Sequence, residues 1–179
     1  LLKNEGAALP VAARKKVVLF GKGTIDYVKG GGGSGNVTVA YTRNFYEGMK
    51  LKEAEGKVQL FHELAAYYEK YVKEQYEAAH EPGMLKEPEV PEDIFGRAKA
   101  FSDAAIITIC RFSGEGWDRS IAREEDNTGL TEWELEKAHA QKEIFPNGDF
   151  RMTPLERALI EKVKKEFKHV IIVLNVGGM

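Results

Sequence analysis

The chain has 179 residues, with 26 basic and 28 acidic side chains and a formal net charge of −2. That length suits one domain with a sizeable core, and the near balance of charge gives no reason to expect nucleic acid as a partner. No apolar run approaches the roughly 20 residues of a membrane-spanning helix, and a single cysteine, Cys110, excludes an intrachain disulfide.

In chain order, Lys16 to Phe20 (KKVVLF from Lys15) reads as a buried strand that ends in Gly21-Lys22-Gly23. A long loop follows through the glycine run from Gly30 to Gly35, and Thr42 is placed to cap a short helix through about Lys52. Lys57 to Glu63 fits a short strand or a helix start. Phe61, Leu64, Ala65, Tyr68, Tyr71 and Val72 have helical spacing, which stops near Pro82-Gly83. Two prolines and several charges make Met84 to Pro91 a surface connection. Pro91-Glu92-Asp93 then opens a helix that leads into the apolar run Ala104 to Phe112, a second buried strand. Cys110 lies within it and reads as an inert interior thiol, compatible with a reducing compartment.

Two capping boxes mark later helices, Thr131 with Glu134 running towards Glu143, and Thr153 with Glu156 and Pro154 running to near Phe167. Val170 to Leu174 is the last strand, and Asn175-Val176-Gly177-Gly178 is its turn. Strands without internal alternation, interleaved with helices, predict an α/β fold: a mostly parallel sheet sandwiched between helices, a flavodoxin-like α/β sandwich. The chain stops where such a fold would start another helix, and it begins at Leu1 without an initiator Met. The expectation is a truncated piece of a larger protein.

Ser113-Gly114-Glu115-Gly116-Trp117-Asp118-Arg119 is the segment that carries chemistry. A carboxylate between two glycines, just past a buried strand, sits where open parallel sheets place their sites. Flanking glycine lets the backbone turn sharply and leaves room for a ligand beside Glu115. Trp117 is placed to pack on a sugar ring or to pin the loop, and Asp118 with Arg119 to form a local ion pair that shapes it. Taken alone, Glu115 reads as a solvated loop acid.

Other features read more plainly. Gly30 to Gly35 satisfies G-x-G-x-x-G, but it follows its strand at a distance and precedes Asn36-Val37-Thr38-Val39, a poor helix start. A dinucleotide site is therefore not expected; the run is a flexible surface loop or one that brings backbone amides close to a polar ligand. His62, His80, His139 and His169 share no metal-ligand spacing, so no metal and no cofactor are expected. Tyr67, Tyr68, Tyr71 and Tyr76 read as a packing face rather than a sugar-stacking platform.

Leu1-Leu2-Lys3-Asn4-Glu5-Gly6 with Leu9-Pro10, the loop from Lys29 to Gly35, the loop Ser113 to Arg119, and Val170 to Gly177 together resemble the glycoside hydrolase family 3 C-terminal-type domain. This is the α/β sandwich of β-glucosidases and related exo-glycosidases, and the resemblance covers the whole chain. The stretch from about 57 to 91 is least family-like and reads as a helical insertion. The resemblance implies a retaining exo-β-glycosidase in which a (β/α)8 barrel supplies an aspartate nucleophile and this domain lends the general acid/base. Glu115 matches that acid, Lys29 and Ser34 lie on the loop that lines the barrel's mouth, and Trp117, Asp118 and Arg119 shape the sugar site. The partners implied are a β-linked glycoside and the barrel of the same parent protein, with self-association through a raw sheet edge as a further expectation. A barrel takes about 250 residues, so none fits within this chain, and the chain alone is expected to be inactive. The setting expected is the bacterial cytoplasm, with a secreted parent as the alternative. The rival readings are a non-catalytic carbohydrate-binding accessory domain of the same fold and a flavodoxin-like or nucleotide-binding module.

Overall fold

The computed structural model describes residues 2–6, 8–13, 15–31, 33–78, 80–114 and 131–176, with the backbone only at Trp133, Glu134, Lys137 and Ala138. Four strands are arranged in the order β2-β1-β3-β4, where β1 is Lys15–Phe20, β2 Val58–Leu60, β3 Ala104–Arg111 and β4 His169–Val176. All three pairings are parallel, with Val17 opposite Leu60, Leu19 opposite Ile106 and Ile107 opposite Ile172. The helices are α1 (Phe45–Ala54), α2 (His62–Glu77), α3 (Glu92–Phe101), α4 (Glu132–Ile144) and α5 (Pro154–Glu166).

The residues explain the layers. Every side chain of β3 is buried, as a central parallel strand covered on both faces requires. On one face Val18, Phe20, Ala105, Ile107 and Ile109 meet Leu64 and Tyr68 of α2, Phe95 and Ala98 of α3, and Leu159, Ile160 and Val163 of α5. Phe20 sits edge-on to Phe167 at 5.4 Å and tilted against Phe95 at 5.6 Å. Each such fully buried side chain contributes about 1.5–3 kcal/mol of transfer free energy. On the other face Val17, Leu19 and Ile106 meet Tyr46 of α1, with Val58 and Leu60 of β2 and Ala65 of α2. β4 is the thinner edge, and its Ile172 and Leu174 remain exposed.

Helix starts follow capping chemistry. Thr153 and Glu156 form the expected reciprocal box at α5, with Pro154 in its first turn. At α1 the cap is Asn44, not Thr42; Asn44 accepts from the Glu47 N–H at 2.8 Å, and the Glu47 carboxylate accepts from the Asn44 N–H at 2.9 Å. An asparagine three residues ahead of a glutamate makes the same box two positions later than the threonine.

The segment 84–91 departs furthest from its expectation. It is not a surface connection: Met84, Leu85 and Glu87 are buried, Leu85 to 1 % exposure. The tyrosines of α2 hold it there. Tyr67 donates to the Glu89 carbonyl at 2.7 Å, Tyr71 to the Lys86 carbonyl at 2.8 Å and Tyr68 to the Glu87 carboxylate at 3.2 Å. Their rings pack and their hydroxyls satisfy backbone that would otherwise need water. The stretch 57–91 thus supplies β2 to the sheet and α2 to the core.

Candidate functional site at the ends of β1 and β3

Four parallel strands deliver their C-terminal ends to one edge of the sheet. From β1 the chain goes outward to β2 on one side and returns to β3 on the other. Such a reversal opens a crevice between the two strand ends, where open α/β sheets hold ligands. The glycine run follows β1 and the Ser113-Gly114 turn follows β3, so both stretches singled out in the sequence emerge at this crevice.

The exit of β1 is built tightly. Gly21 has φ +88°, and a Cβ there would lie 2.4 Å from the Thr108 carbonyl oxygen of β3, so only glycine fits. Lys22 follows and is 2 % exposed. Its ammonium pairs with Asp26 at 3.0 Å, and its backbone N–H donates to both oxygens of Glu87 at 3.2 and 3.0 Å. Tyr68 accepts from the Gly21 N–H at 2.9 Å while donating to Glu87. The second Asp26 oxygen accepts from the Gly83 N–H at 2.7 Å and the Tyr76 hydroxyl at 2.8 Å. Burial works to lower the Lys22 pKa, but Asp26 foremost outweighs it and keeps the ammonium above its ordinary value. Burial pushes the Glu87 carboxyl up to about 7, against the opposing pull of the Lys22 amide and ammonium.

The next residues are tied to β4. The Asn175 side chain accepts from the Val28 N–H at 2.9 Å and donates to the Val28 carbonyl at 3.1 Å, a two-bond clamp across 147 positions of sequence. Cys110 donates its thiol hydrogen to the same Asn175 oxygen at 3.1 Å, and burial pushes that thiol up to about 11. The interior position expected for this cysteine from the sequence is the one found.

Beyond Val28 the two loops meet. A Cβ on Gly31 would stand 3.1 Å from the Ser113 carbonyl oxygen and 3.5 Å from the Gly114 Cα. Phe112 in turn packs against Gly83, where an added Cβ would be 2.7 Å from the Phe112 Cβ and 3.1 Å from Val28. The root of the acid-bearing loop thus lies in backbone contact with the glycine run.

Lys29 and Ser34 lie on that run, both exposed. Lys29 donates to the Val37 carbonyl at 2.5 Å and so closes the loop on itself, while Ser34 occupies the short 3-10 turn Gly33–Gly35. A shallow cavity of about 260 Å³ sits here, lined by Lys29, Gly30, Gly35, Val37, Tyr41 and Arg43 among others, with the Arg43 guanidinium 4.6 Å over the Tyr41 ring. Glu115, Trp117, Asp118 and Arg119 lie outside the described residues, as does the acidic turn 124–126. Of the histidines, His62 hydrogen-bonds Tyr46 at 2.8 Å and faces Glu53 at 2.9 Å, and His169 stands 4.0 Å from Asp103. Among the described residues no group of three or more His, Cys, Asp or Glu is placed to hold a metal, and no helix is long and apolar enough to cross a membrane.

The sequence reading missed Asp26, Glu87, Asn175 and the pair Arg111–Glu156, in which the guanidinium donates to both carboxylate oxygens at 2.6 Å. Arg111 closes an apolar strand and Glu87 sits between prolines. For Arg111 a charge at the end of an otherwise apolar run is the one local signal of burial with a partner, whereas the charges and prolines around Glu87 signal a solvated loop.

The model of the glycosyl hydrolase family 3 C-terminal domain matches residues 1–179. The chain is 46 % identical over its whole length to β-glucosidase A of Butyrivibrio fibrisolvens and 30 % identical to a β-glucosidase of Ruminococcus albus, and it spans 21 % and 16 % of those proteins. Among solved structures it resembles β-glucosidase 3B of Thermotoga neapolitana in complex with glycerol (TM-score 0.74, 32 % identity, 99 % of this chain and 22 % of that one). A β-glucosidase of Paenibacillus barengoltzii is similar as well (TM-score 0.72, 32 % identity, 98 % of this chain and 17 % of that one).

Proposed function

Since the chain belongs to glycosyl hydrolase family 3 as a C-terminal domain, we propose that it lends the proton donor to a retaining β-glucosidase, with Glu115 as the general acid/base. The aspartate nucleophile comes from a barrel domain elsewhere in the complete protein. The observation that carries this reading is the meeting of the glycine run with the Ser113-Gly114 turn at the crevice between β1 and β3.

The chemistry suits a divided site. A retaining glycosidase needs two carboxyl groups about 5–5.5 Å apart, one to attack the anomeric carbon and one to protonate the leaving oxygen. The acid has to remain protonated near neutral pH, which burial and a neighbouring carboxylate bring about. A barrel closed over the Ser113–Arg119 loop supplies both. Lys29 and Ser34 then line the mouth of the site, with Trp117 against the sugar and Asp118 and Arg119 shaping the loop around Glu115.

The test is Glu115→Ala in the complete protein. Turnover of cellobiose or an alkyl glucoside, whose leaving groups need a proton, is expected to fall by about 10²–10⁴-fold. A dinitrophenyl glucoside should lose far less in kcat/KM, and azide should speed its turnover by replacing the water that the lost base activates. Unchanged cellobiose hydrolysis rejects the role. Sugar binding by the isolated chain, with no effect of the substitution on the parent's catalysis, would favour a carbohydrate-binding accessory domain.

A further inference from the structure

β3 ends in a charge where its pattern calls for an apolar residue. Arg111 is 4 % exposed, and its guanidinium is met by oxygens around its edge. One terminal nitrogen donates to Glu156 at 2.6 Å and to the Cys110 carbonyl at 2.9 Å. The other donates to Glu156 at 2.6 Å and to the Arg151 carbonyl at 3.1 Å, and Nε donates to the Asp149 carbonyl at 2.9 Å. The Phe145 ring, just past α4, lies 4.5 Å from the guanidinium carbon. Glu156 also accepts from the Thr153 N–H at 2.8 Å and so caps α5 with the same carboxylate. Four pieces of chain, namely the end of β3, the end of α4, the turn 149–151 and the start of α5, are fixed to one planar group.

A buried ion pair is a poor device for stability alone, because well-packed apolar side chains of similar volume often serve as well or better. A bidentate arginine supplies direction instead: its fork fixes the orientation of both partners. The direction fixed here is that of the strand exit. Phe112 follows immediately and lies against Gly83, Ser113 and Gly114 lie against Gly31, and Glu115 is the next residue in the sequence. Only three residues separate the locked guanidinium-bearing residue from the acid.

We propose that Arg111 and Glu156 are positioning residues for the proton donor, holding the root of its loop so that Glu115 meets the leaving oxygen. The proposal rests on the reading of Glu115 as the acid. Proton transfer needs a heavy-atom approach of about 2.6–3.2 Å, and a displacement of about 1 Å can cost on the order of 10²-fold in rate. Loosening the root should therefore harm the step that needs the proton and spare the step that does not.

The experiment uses the complete protein with Arg111→Lys, which keeps the charge beside Glu156 but loses the fork. A second variant, Arg111→Met with Glu156→Leu, removes both charges at similar volume and guards against a misfolded single variant. The measurement is kcat/KM on cellobiose and on dinitrophenyl glucoside, with Glu115→Ala in parallel. The expected result is a loss of about 10–100-fold on cellobiose against less than about threefold on the activated substrate. Equal losses on both substrates, or none on either, overturn the positioning role. If Glu115→Ala is selective for the poor leaving group and the Arg111 variants are not, the positioning role alone falls. If Glu115→Ala leaves cellobiose turnover intact, both readings fall together.

Discussion

Two buried ionic centres flank the crevice, and they solve the same problem in opposite ways. At the exit of β3 one guanidinium faces one carboxylate, and the bonds from Arg111 outweigh burial to hold Glu156 below the usual carboxylate range. At the exit of β1 one ammonium stands near two carboxylates and bonds only one of them. Asp26 takes the Lys22 ammonium at 3.0 Å, and burial lifts the Glu87 carboxyl to about 7 because the backbone N–H and the phenol that it receives do not offset it. The difference teaches that burial alone does not set the charge of an interior acid. What sets it is how many cations the acid shares, and with whom.

The strongest way to break the comparison is Glu156→Gln. It leaves the Arg111 guanidinium buried without its counter-charge, and it weakens the cap of α5. A loss of about 3–5 kcal/mol is expected, measured as the midpoint of chemical denaturation. The acid branch of the stability profile contributed by Glu156 should vanish with it. Because its folded pKa is depressed, that contribution is full above the unfolded value of about 4.5 and is lost as pH falls through the folded one.

Glu87→Gln sharpens the contrast with a smaller effect of opposite sign. Between its unfolded value of 4.5 and about 7 the folded chain holds a proton on Glu87 that the unfolded chain releases. Stability therefore falls as pH rises through that window, by at most about 1.4 kcal/mol per pH unit, and levels off above 7. The Gln variant should flatten this slope in thermal midpoints taken from pH 5 to 8. A slope unchanged by the substitution would mean that Glu87 stays ionised in the fold.

The smallest effect belongs to a third arrangement at the surface. Arg97 pairs with Glu63 and Asp93 at 2.6 and 2.9 Å, and all three are solvated. Arg97→Ala should leave the thermal midpoint within experimental scatter, since exposed pairs are screened and entropically costly. A clear drop would show that geometry, not burial, separates the two interior centres from this one.

Much of the frame was legible because its signals are local. Val17–Phe20 and Ala104–Cys110 are apolar runs, broken only by Thr108, the mark of central parallel strands, and Thr153-Pro154 with Glu156 is a helix start written in four residues. The same Glu156 was legible only as a cap. Its bond to Arg111 spans 45 positions, and nothing in either neighbourhood announces it. The segment 84–91 misled for a related reason. Prolines and charges signal a loop, and a loop is normally solvated; only the hydroxyls of Tyr67, Tyr68 and Tyr71, brought over by α2, satisfy its backbone and allow Leu85 and Glu87 inside. The candidate site was legible in its two loops and not in their contact, which is a property of strand order rather than of either stretch.

That contact carries a consequence for how such sequences diverge. A side chain in place of Gly31 would begin 3.1 Å from the Ser113 carbonyl oxygen. A lineage that trades this glycine for a bulkier residue has to shift the Ser113-Gly114 turn slightly to keep the fit. The two loops, though some eighty residues apart in the sequence, are thereby coupled in what each can accept.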